Sequence, residues 1–499
     1  MTPSVNSFYN HSFFKSKYSI VILFIFSFLF YYMTLDNYFL ADDFYIISDL
    51  FDYESSNYWV SFNKLLESLY YAAGGGFYWR PTTFLVFAFN GLIWGLNPLG
   101  YHIFSVFLLF MSSIALYYIS LRFINPMGSF IIALLFIAHP LHTEAITFIN
   151  AVADPLCAVL SLFTILCWIK YRENGRRLYL IISLVIFIVA LLTKEFALVV
   201  PGFFVVYEWM LSGREKRKYK EIIVPILTFG VIEILYLMTR SYILPSSLGL
   251  VNKYPPNIEL LKSIVTIPFG FVFAPTGLNG PYGLWIYTGI SFFFSLIMIY
   301  LALRGNKKVI VLFCWYILSL LPIYMFLPNL SNFYLVPNTR FLYFPSSIGL
   351  ILLIYVVFTI IKSIKLNAIL VSLLLFMYLG GLLRSNQIWE VSSDIVKQTN
   401  QFIYEYVSEQ PGKSIYADLN GLYFVNGATA YFDPSQIGLG LKRPFMNMTV
   451  EGNNPIKLSI FEKDMSLNEP ASNKIVYFKM NIKDPNNAII DFEVEVKEK

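Results

Sequence analysis

The sequence predicts a polytopic α-helical membrane protein with about eleven transmembrane helices and a small C-terminal α+β domain outside the membrane. Three observations support this fold class. Hydrophobic residues make up 57% of the 499 residues and charged residues only 13%, whereas a soluble domain carries about 25% charged residues. Apolar runs of transmembrane length recur along the chain. Basic residues gather in the short loops between these runs, as they do in the cytoplasmic loops of membrane proteins.

The first apolar run, Tyr18–Leu35, is long enough to cross a bilayer as a retained helix. With the N-terminus inside, this helix leads to a long external loop, residues 36–97. Two apolar or amphipathic pieces of the loop, 62–73 and 82–96, are separated by three consecutive glycines. They predict helices that lie at the membrane interface.

Ten further apolar runs complete the membrane region and alternate in direction, so that the basic loops face the cytoplasm. The predicted spans are 98–121, 127–138, 152–169, 178–192, 196–211, 222–238, 285–303, 309–327, 341–361 and 366–383. The run 258–275 is also long enough, but two prolines and a glycine interrupt it. Counting it as a span would place Lys307 and Lys308 outside, so we expect a re-entrant or surface helix there.

The composition changes at Arg384, after which apolar runs shorten and polar residues become frequent. Residues 1–384 are therefore the predicted membrane domain, and residues 385–499 are the predicted external domain. A helix over about 386–408 and strands such as 474–482 and 488–497 are expected in the external domain.

The small net charge of +5 and the position of the basic residues reflect membrane topology, so nucleic acid is not an expected partner. Cys157, Cys167 and Cys314 lie inside apolar segments without metal-ligand spacing. They are expected to be small buried side chains. The charged residues at the external helix ends are therefore the candidates for catalysis and substrate binding.

Two adjacent carboxylates, Asp42 and Asp43, follow the first span closely. Charge this close to hydrocarbon is costly and usually faces a water-filled cavity or a partner, which favours a functional role. The alternative is that the pair caps the next helix, because Asp is a favoured N-cap residue. The pair alone does not decide between these two interpretations.

The predicted topology collects further ionisable residues on the same external face. They are Arg80, His139, His142, Glu144, Asp154, Lys194, Glu195, Arg240 and Arg340. A cavity with paired carboxylates and several cations suits a reaction that needs a base and binds an anionic, lipid-borne group such as a phosphate. This outline predicts a transferase that takes a sugar from a lipid phosphate.

Structural roles compete with function at several of these positions. His139 and His142 could ligate a metal, but Pro140 disturbs the helix and no fourth ligand is evident, so hydrogen-bonded roles are favoured. Lys194 and Glu195 could form a simple interfacial ion pair. Arg240 could extend its side chain to the membrane interface. Arg340 is the stronger candidate, because it opens an apolar run at the external face, where orientation does not favour a cation.

Several motifs between about Tyr18 and Trp389 resemble the GT-C class of integral membrane glycosyltransferases, especially its protein O-mannosyltransferase-like and TMTC-like branch. Each motif is short, and the match rests on their order and membrane depth. The motifs are Asp42–Asp43, Tyr78–Pro81, Gly95–His102, His139–Ala145, Thr193–Glu195 and Arg340–Ser346.

The resemblance implies a polyprenyl-phosphate sugar donor, inversion at the anomeric carbon, and transfer on the extracytoplasmic side of a membrane, here expected to be a bacterial inner membrane. It also implies that an Asp of the first external loop is the general base, which falls on Asp42 or Asp43. We favour Asp42, because the acidic pair of the family usually begins with the essential Asp. Asp43 is then expected to orient the acceptor or to bind a metal.

A carboxylate base fits this chemistry, because a sugar hydroxyl is a poor nucleophile until its proton is removed. The departing lipid phosphate needs no acid where cations stabilise it. The predicted phosphate clamp is Arg80, Lys194, Arg240 and Arg340. Residues predicted to bind the acceptor or shape the site are His139, His142, Glu144, Asp154 and Glu195. The sequence establishes no cofactor, and a divalent Mg or Mn ion at Asp42 and Asp43 is an open alternative.

One departure from the family lies in residues 150–154, which read Asn-Ala-Val-Ala-Asp. Related sequences often carry an Arg shortly before the acidic residue that matches Asp154. Either another residue supplies that cation in this chain, or the substrate differs.

Several functions compete. The first is an inverting transferase that moves one sugar to an extracytoplasmic glycan such as a lipopolysaccharide or O-antigen chain, and the alternative of the same class makes a protein Ser or Thr the acceptor. A lipid acceptor belongs to the same scheme. A lipid or polysaccharide transporter or flippase is less favoured, because the sequence shows no paired repeats with matching broken helices. A scaffold without catalysis is a further alternative, in which the acidic pair would be dispensable.

Overall fold

The computed structural model of this protein describes residues 17–50, 79–211, 220–244, 281–324, 339–409, 414–418, 424–425, 428–429, 474–484 and 489–498. The described chain is mostly helical, with strands only near the C-terminal end. The predicted re-entrant helix over 258–275 and the predicted interfacial helix over 62–73 lie outside these residues.

Helices account for the membrane region. They are α1 (Lys17–Phe30), α2 (Asp43–Leu50), α3 (Pro81–Trp94), α4 (Pro98–Ser120), α5 (Pro126–Ile137), α6 (Thr143–Thr147), α7 (Ala153–Asn174), α8 (Arg177–Thr193), α9 (Val200–Leu211), α10 (Lys220–Ile243), α11 (Pro281–Leu303), α12 (Lys307–Tyr324), α13 (Tyr343–Ile360) and α14 (Ile364–Glu409). Each of the eleven predicted spans therefore contains a helix.

Length and composition identify which helices could cross a membrane. Among the described residues, five are long and apolar enough: Pro98–Ser120, Ile149–Asn174, Ile222–Ile243, Thr339–Ile360 and Ile364–Phe402. A sixth candidate is the pair Pro126–Ile137 and Pro140–Thr147, which bends by 48° at its break. Shorter apolar helices include α1, α3 and α8. The chain is a membrane protein, and the number of eleven spans stays a prediction.

Short 3-10 helices interrupt the bundle at particular places. They are Tyr32–Thr34, Pro140–His142, Ile149–Val152, Glu195–Val199 and Thr339–Leu342. Three of them, Pro140–His142, Glu195–Val199 and Thr339–Leu342, contain residues that the sequence analysis proposed for the site. Proline and polar side chains produce such tight turns, because they interrupt or compete with regular helical hydrogen bonds.

Helix starts follow the local sequence. Asn97 and Asn125 each precede a proline, and their side chains accept hydrogen bonds from the backbone amides of Leu99 (3.1 Å) and Gly128 (2.8 Å). Asn at the N-cap satisfies an orphan amide, and Pro at the first helical position lacks an amide that would need a partner. These signals fix the starts of α4 and α5.

Helix α7 lies at the centre of the bundle. It packs against α4, α8, α9 and α13, and it is apolar on most of its surface, as expected of a fully surrounded helix. The Trp168 ring stacks on the Phe204 ring with centroids 4.4 Å apart. This packing fixes the helix whose N-terminal end carries the candidate site.

Helix α14 is 46 residues long and runs without a break through residue 384. At 1.5 Å per residue it extends about 69 Å, roughly twice the hydrocarbon thickness of about 30 Å. Its C-terminal part therefore projects from the membrane region. The division into domains 1–384 and 385–499 stays a prediction.

The C-terminal strands form two small sheets. The strands are β1 (Ser414–Asp418), β2 (Phe424–Val425), β3 (Ala428–Thr429), β4 (Lys474–Asp484) and β5 (Ile489–Glu498). Strand β4 pairs in parallel with β1 and antiparallel with β5, while β2 pairs with β3. The two strands predicted at 474–482 and 488–497 are present, whereas an α+β domain as a unit stays a prediction.

A buried ion pair joins α7 to α9. The Arg172 guanidinium donates through Nε to Glu208 Oε1 (2.5 Å) and through Nη2 to Glu208 Oε2 (2.6 Å). The two side chains are only 2% and 8% exposed. When side chains are this buried, removal of one partner leaves the other charge unpaired and strongly destabilises the fold.

We expect Glu208→Leu to lower the free energy of unfolding by about 3–5 kcal/mol, because it leaves the Arg172 charge buried alone. The double variant Arg172→Met with Glu208→Leu should recover most of this loss, since it removes both charges. Thermal unfolding in detergent micelles measures the difference. A single variant as stable as the wild type would show that the pair does not support the fold.

Candidate active site

The acidic turn, Leu40–Asp43, is built around the Asp43 carboxylate. Asp43 Oδ2 accepts a hydrogen bond from the Leu40 amide (2.9 Å), and Asp43 Oδ1 accepts one from the Asn150 amide (2.7 Å). The first bond reaches back three residues and closes the turn at Leu40, and the second attaches the turn to the 3-10 helix Ile149–Val152 before α7. Both amides lie outside α2, so these two bonds differ from the N-cap bonds to α2 that the sequence analysis considered as an alternative.

Asp43 is almost completely buried, with 1% of its surface exposed. Burial raises the pKa of the Asp43 carboxyl well above its usual value, and the backbone hydrogen bonds only partly offset this effect. With each carboxylate oxygen bound to a backbone amide, Asp43 is held in one orientation.

Ala41 shows how tightly the turn is constrained. Its φ is +44°, and it is the only residue other than glycine with a positive φ among those the structure describes. An L-residue held in this region stores about 1–3 kcal/mol of strain and persists only where the surroundings enforce it. The strain lies directly before Asp42.

Two more elements hold the segment that leads into the turn. His102 of α4 donates through Nε2 to the Asn37 carbonyl (3.0 Å). The Tyr38 amide donates to Ser393 Oγ of α14 (2.6 Å). Together with the Asn150 contact, α4, α14 and the start of α7 all fix the acidic turn.

Asp42 differs from Asp43 in its surroundings. It is partly exposed, and its Oδ2 lies 3.5 Å from Asn150 Nδ2. A long contact of this kind is common in catalytic groups before substrate binds. Of the two acids, Asp42 is the more exposed, and its role as base stays a prediction.

Lys194 and Arg340 converge on Asp154, four residues after Asn150. Lys194 Nζ forms an ion pair with Asp154 Oδ1, and Arg340 Nε lies 3.9 Å from Asp154 Oδ2. Burial lowers the pKa of Lys194, and Asp154 only partly offsets this effect. Asn150, whose amide binds Asp43, thus precedes Asp154 and its two cations by four residues in the chain.

Glu144 holds Arg340 from the other side. Arg340 Nη1 donates to Glu144 Oε1 (3.1 Å), while the Arg340 amide and the Thr339 hydroxyl each donate to Oε2 (3.0 Å). Aromatic faces complete the surroundings, since Arg340 Cζ lies 5.5 Å from the Phe148 ring centroid.

A second group of cations is built on Glu195. Arg80 Nη2 lies 2.9 Å from Glu195 Oε2, and Arg240 Nη2 lies 3.1 Å from Glu195 Oε1. Burial alone would raise the pKa of the Glu195 carboxyl, but the two arginines outweigh it and lower that pKa to about 2. Trp79 and Tyr236 stack beside them with ring centroids 5.9 Å apart.

The structure therefore brings all four predicted cations of the clamp together, because Lys194 and Glu195 are neighbours in sequence. Each cation also has a carboxylate partner. The four cations face three carboxylates, Glu144, Asp154 and Glu195, so the set retains a net positive charge. Its use as a phosphate clamp stays a prediction.

His139 and His142 are completely buried and lie among aromatic rings. His142 Nε2 donates to the Ser346 hydroxyl (2.7 Å), which itself donates to the Tyr343 carbonyl. His139 Nδ1 accepts from the Leu141 amide (3.2 Å). These bonds fit the structural interpretation of the two histidines, which shape the bend between α5 and α6.

A divalent metal at Asp42 and Asp43 stays a prediction. Within the described part of the chain, no three His, Cys, Asp or Glu side chains converge on one point. Because both oxygens of Asp43 bind backbone amides, a metal here would rely mainly on Asp42 and on substrate phosphate, an arrangement that Mg²⁺ accepts.

The sequence analysis did not assign a role to Asn150, Thr339 or Phe148. Asn150 was noted only as part of the segment that departs from the family. Its position directly before the acidic helix start at Asp154 was the available signal, because polar residues at helix starts often bind neighbouring backbone or side chains.

Comparisons with known proteins identify similar chains. Protein O-mannosyl-transferase TMTC3 of Mus musculus is 34% identical over 133 residues, which is 26% of this chain and 14% of the mouse protein. TMTC1 of Homo sapiens is 30% identical over 152 residues, which is 28% of this chain and 17% of the human protein. The match thus spans less than a fifth of the length of these relatives. No family model matches the chain.

One solved structure is also similar. The Archaeoglobus fulgidus oligosaccharyltransferase, crystallised with a tethered acceptor peptide, gives a TM-score of 0.49 at 12% identity and covers 85% of this chain and 65% of that chain. The sequence similarities confirm the predicted resemblance to O-mannosyltransferases of the TMTC-like branch. These relatives are named as protein O-mannosyl-transferases.

We expect Glu195→Gln to lower the free energy of unfolding at pH 7 by about 1.5–3 kcal/mol, because two arginines lose their ionised partner. The pKa of Glu195 is lower in the folded chain, so its ionisation stabilises the fold above pH 4.5, and this contribution is lost as pH falls toward 2. Unfolding midpoints between pH 5 and 3 should therefore fall more steeply for the wild type than for the variant.

Glu173→Gln is the matched control, since Glu173 pairs with Arg122 and Lys170 in a more exposed setting and should cost less than about 1 kcal/mol. If the unfolding midpoints of the wild type and Glu195→Gln fell equally between pH 5 and 3, this would contradict the lowered pKa of Glu195.

Proposed function

We propose that this chain is a glycosyltransferase that moves a single sugar, mannose, from a polyprenyl-phosphate carrier to a Ser or Thr hydroxyl of a protein. The transfer takes place on the extracytoplasmic side of a membrane, for which a bacterial inner membrane is the expected one. The similarity to protein O-mannosyl-transferases supports the sugar and the acceptor. The observation that carries the proposal is that the partly exposed Asp42 lies 3.5 Å from the side chain of Asn150, which is four residues before Asp154 and its two cations in the chain.

Asp42 is the proposed general base. The acceptor hydroxyl oxygen attacks the anomeric carbon of the sugar from the face opposite the phosphate, and Asp42 takes the hydroxyl proton. The bond between the anomeric carbon and the phosphate oxygen breaks, and its electron pair leaves with the polyprenyl phosphate. The new bond therefore has inverted configuration, and no step depends on a metal.

The cations stabilise the leaving phosphate. Its negative charge grows as the bond breaks, and preorganised cations in a site with little water stabilise that charge most. Arg340 and Lys194 are held by carboxylates and aromatic rings before substrate arrives, so they need little reorganisation. Arg80 and Arg240 add a second pair at the other end of the set.

Asp43 is the proposed positioning residue of the acidic turn. The sequence analysis expected it to orient the acceptor or to bind a metal. Its burial and its two backbone hydrogen bonds favour a different task, which is to hold Asp42 at the position where the hydroxyl arrives.

The test is a transfer assay with the full chain in lipid nanodiscs, polyprenyl-phosphate mannose and a Ser/Thr-rich peptide. We expect Asp42→Asn to lower kcat by about 10²–10⁴-fold, because the acceptor loses its base. Thermal unfolding should stay within about 0.5 kcal/mol of the wild type, since the carboxamide has the same shape and sits at a partly exposed position. Full activity of a folded Asp42→Asn protein would refute the assigned base.

The acceptor is tested in the same assay by replacing the peptide with a lipid-linked glycan. Transfer to peptide alone supports the proposed acceptor, whereas transfer to glycan alone would return the function to the glycan acceptor of the sequence analysis. Absence of transfer to either acceptor by the wild type would overturn the proposed function.

Asp43→Asn should behave differently from Asp42→Asn. The side-chain NH₂ of the new Asn would face one of the two backbone N–H groups that now donate to the carboxylate. We therefore expect a loss of about 1–3 kcal/mol in unfolding free energy together with lower activity. Thermal unfolding and the same transfer assay measure both effects. A stable and active Asp43→Asn protein would show that the turn does not need this carboxylate.

A further inference from the structure

Asn150 contacts both members of the acidic pair, but with different groups. Its backbone amide binds Asp43 Oδ1 (2.7 Å), and its side-chain Nδ2 lies 3.5 Å from Asp42 Oδ2. A substitution at position 150 changes only the second contact, because every residue other than proline retains the backbone amide. The two acids can therefore be separated experimentally through a residue that is neither of them.

The position of Asn150 in the fold also links the base to the cations. It lies in the 3-10 helix Ile149–Val152, directly before α7, and Asp154 follows one turn later with Lys194 and Arg340 attached. Under the proposed function, the acceptor hydroxyl meets Asp42 and the donor phosphate meets those cations, so Asn150 lies in the chain segment that joins the two groups.

We propose that the Asn150 carboxamide is a positioning residue that orients the Asp42 carboxylate while keeping it basic. This inference rests on the proposed function, because it assigns Asp42 the role of base. A carboxamide donates a hydrogen bond without carrying charge, so it restricts the carboxylate while stabilising its ionised form less than a cation would. A cation at the same place would lower the affinity of Asp42 for the proton it must accept.

Other ionisable groups lie on the elements around the acidic turn and on those that hold the cations, and they stay constant in the test. On the surrounding elements they are Asp36 and Asp43 of the first loop, Arg80 before α3, Tyr101 and His102 of α4, Asp154 of α7, Lys194, Arg340, and Glu390 and Asp394 of α14. A change confined to residue 150 therefore reports on that position alone.

The experiment is a charge series at position 150, assayed for mannose transfer to peptide in nanodiscs across pH. Asn150→Leu removes the hydrogen bond and should lower kcat by about 10- to 100-fold with the donor KM unchanged. Asn150→Asp should move the acid limb of the pH profile up by about one pH unit, because a negative neighbour raises the pKa of the base. Asn150→Lys should move it down by about the same amount.

Asn150→Gln retains the carboxamide and should keep the acid limb at its wild-type position with more activity than Asn150→Leu. The matched controls are Asn174→Asp and Asn174→Lys, which make the same charge changes at the exposed far end of α7 and should leave the profile unchanged.

An acid limb that stays at the wild-type pH in both Asn150→Asp and Asn150→Lys would overturn the inference and leave the proposed function intact. A folded Asn150→Leu protein with wild-type kcat would do the same. Absence of transfer by the wild type would instead overturn the proposed function, and this inference with it.

Discussion

The two hydrogen bonds from backbone amides to the Asp43 carboxylate are the constraint on which the candidate site depends. They close the turn at Leu40 and attach it to Asn150 at the start of α7. They hold the strained Ala41 in one conformation, together with the hydrogen bonds that join Asn37 to His102 and Tyr38 to Ser393. The buried Asp43 thus helps to fix the position of its partly exposed neighbour Asp42, the proposed base.

The four cations beyond the turn are also held in place by neighbouring side chains. Cations near a membrane are costly when alone, and here Glu144, Asp154 and Glu195 hold the four of them in place. Aromatic rings narrow the space around Lys194 and Arg340. An incoming phosphate would meet cations whose positions are already set, and it would compete with carboxylates for them.

Much of the helical framework could be predicted from the sequence, because long apolar runs and Asn-Pro helix starts are strong local signals. The grouping of Arg80, Lys194, Arg240 and Arg340 followed from topology alone. The different surroundings of Asp42 and Asp43 did not follow from topology, because the buried position of Asp43 depends on the amide of Asn150, 107 residues away. The carboxylate partners of the cations were likewise set by tertiary packing, which no local pattern encodes.

Helix α14 contacts several distant parts of the described chain. The same helix touches Tyr38 through Ser393, stacks Trp389 on Phe148 beneath Arg340, and contacts strands β2 and β3 at its far end. The segment before the acidic turn and the strands β2 and β3 are therefore attached to one unbroken helix.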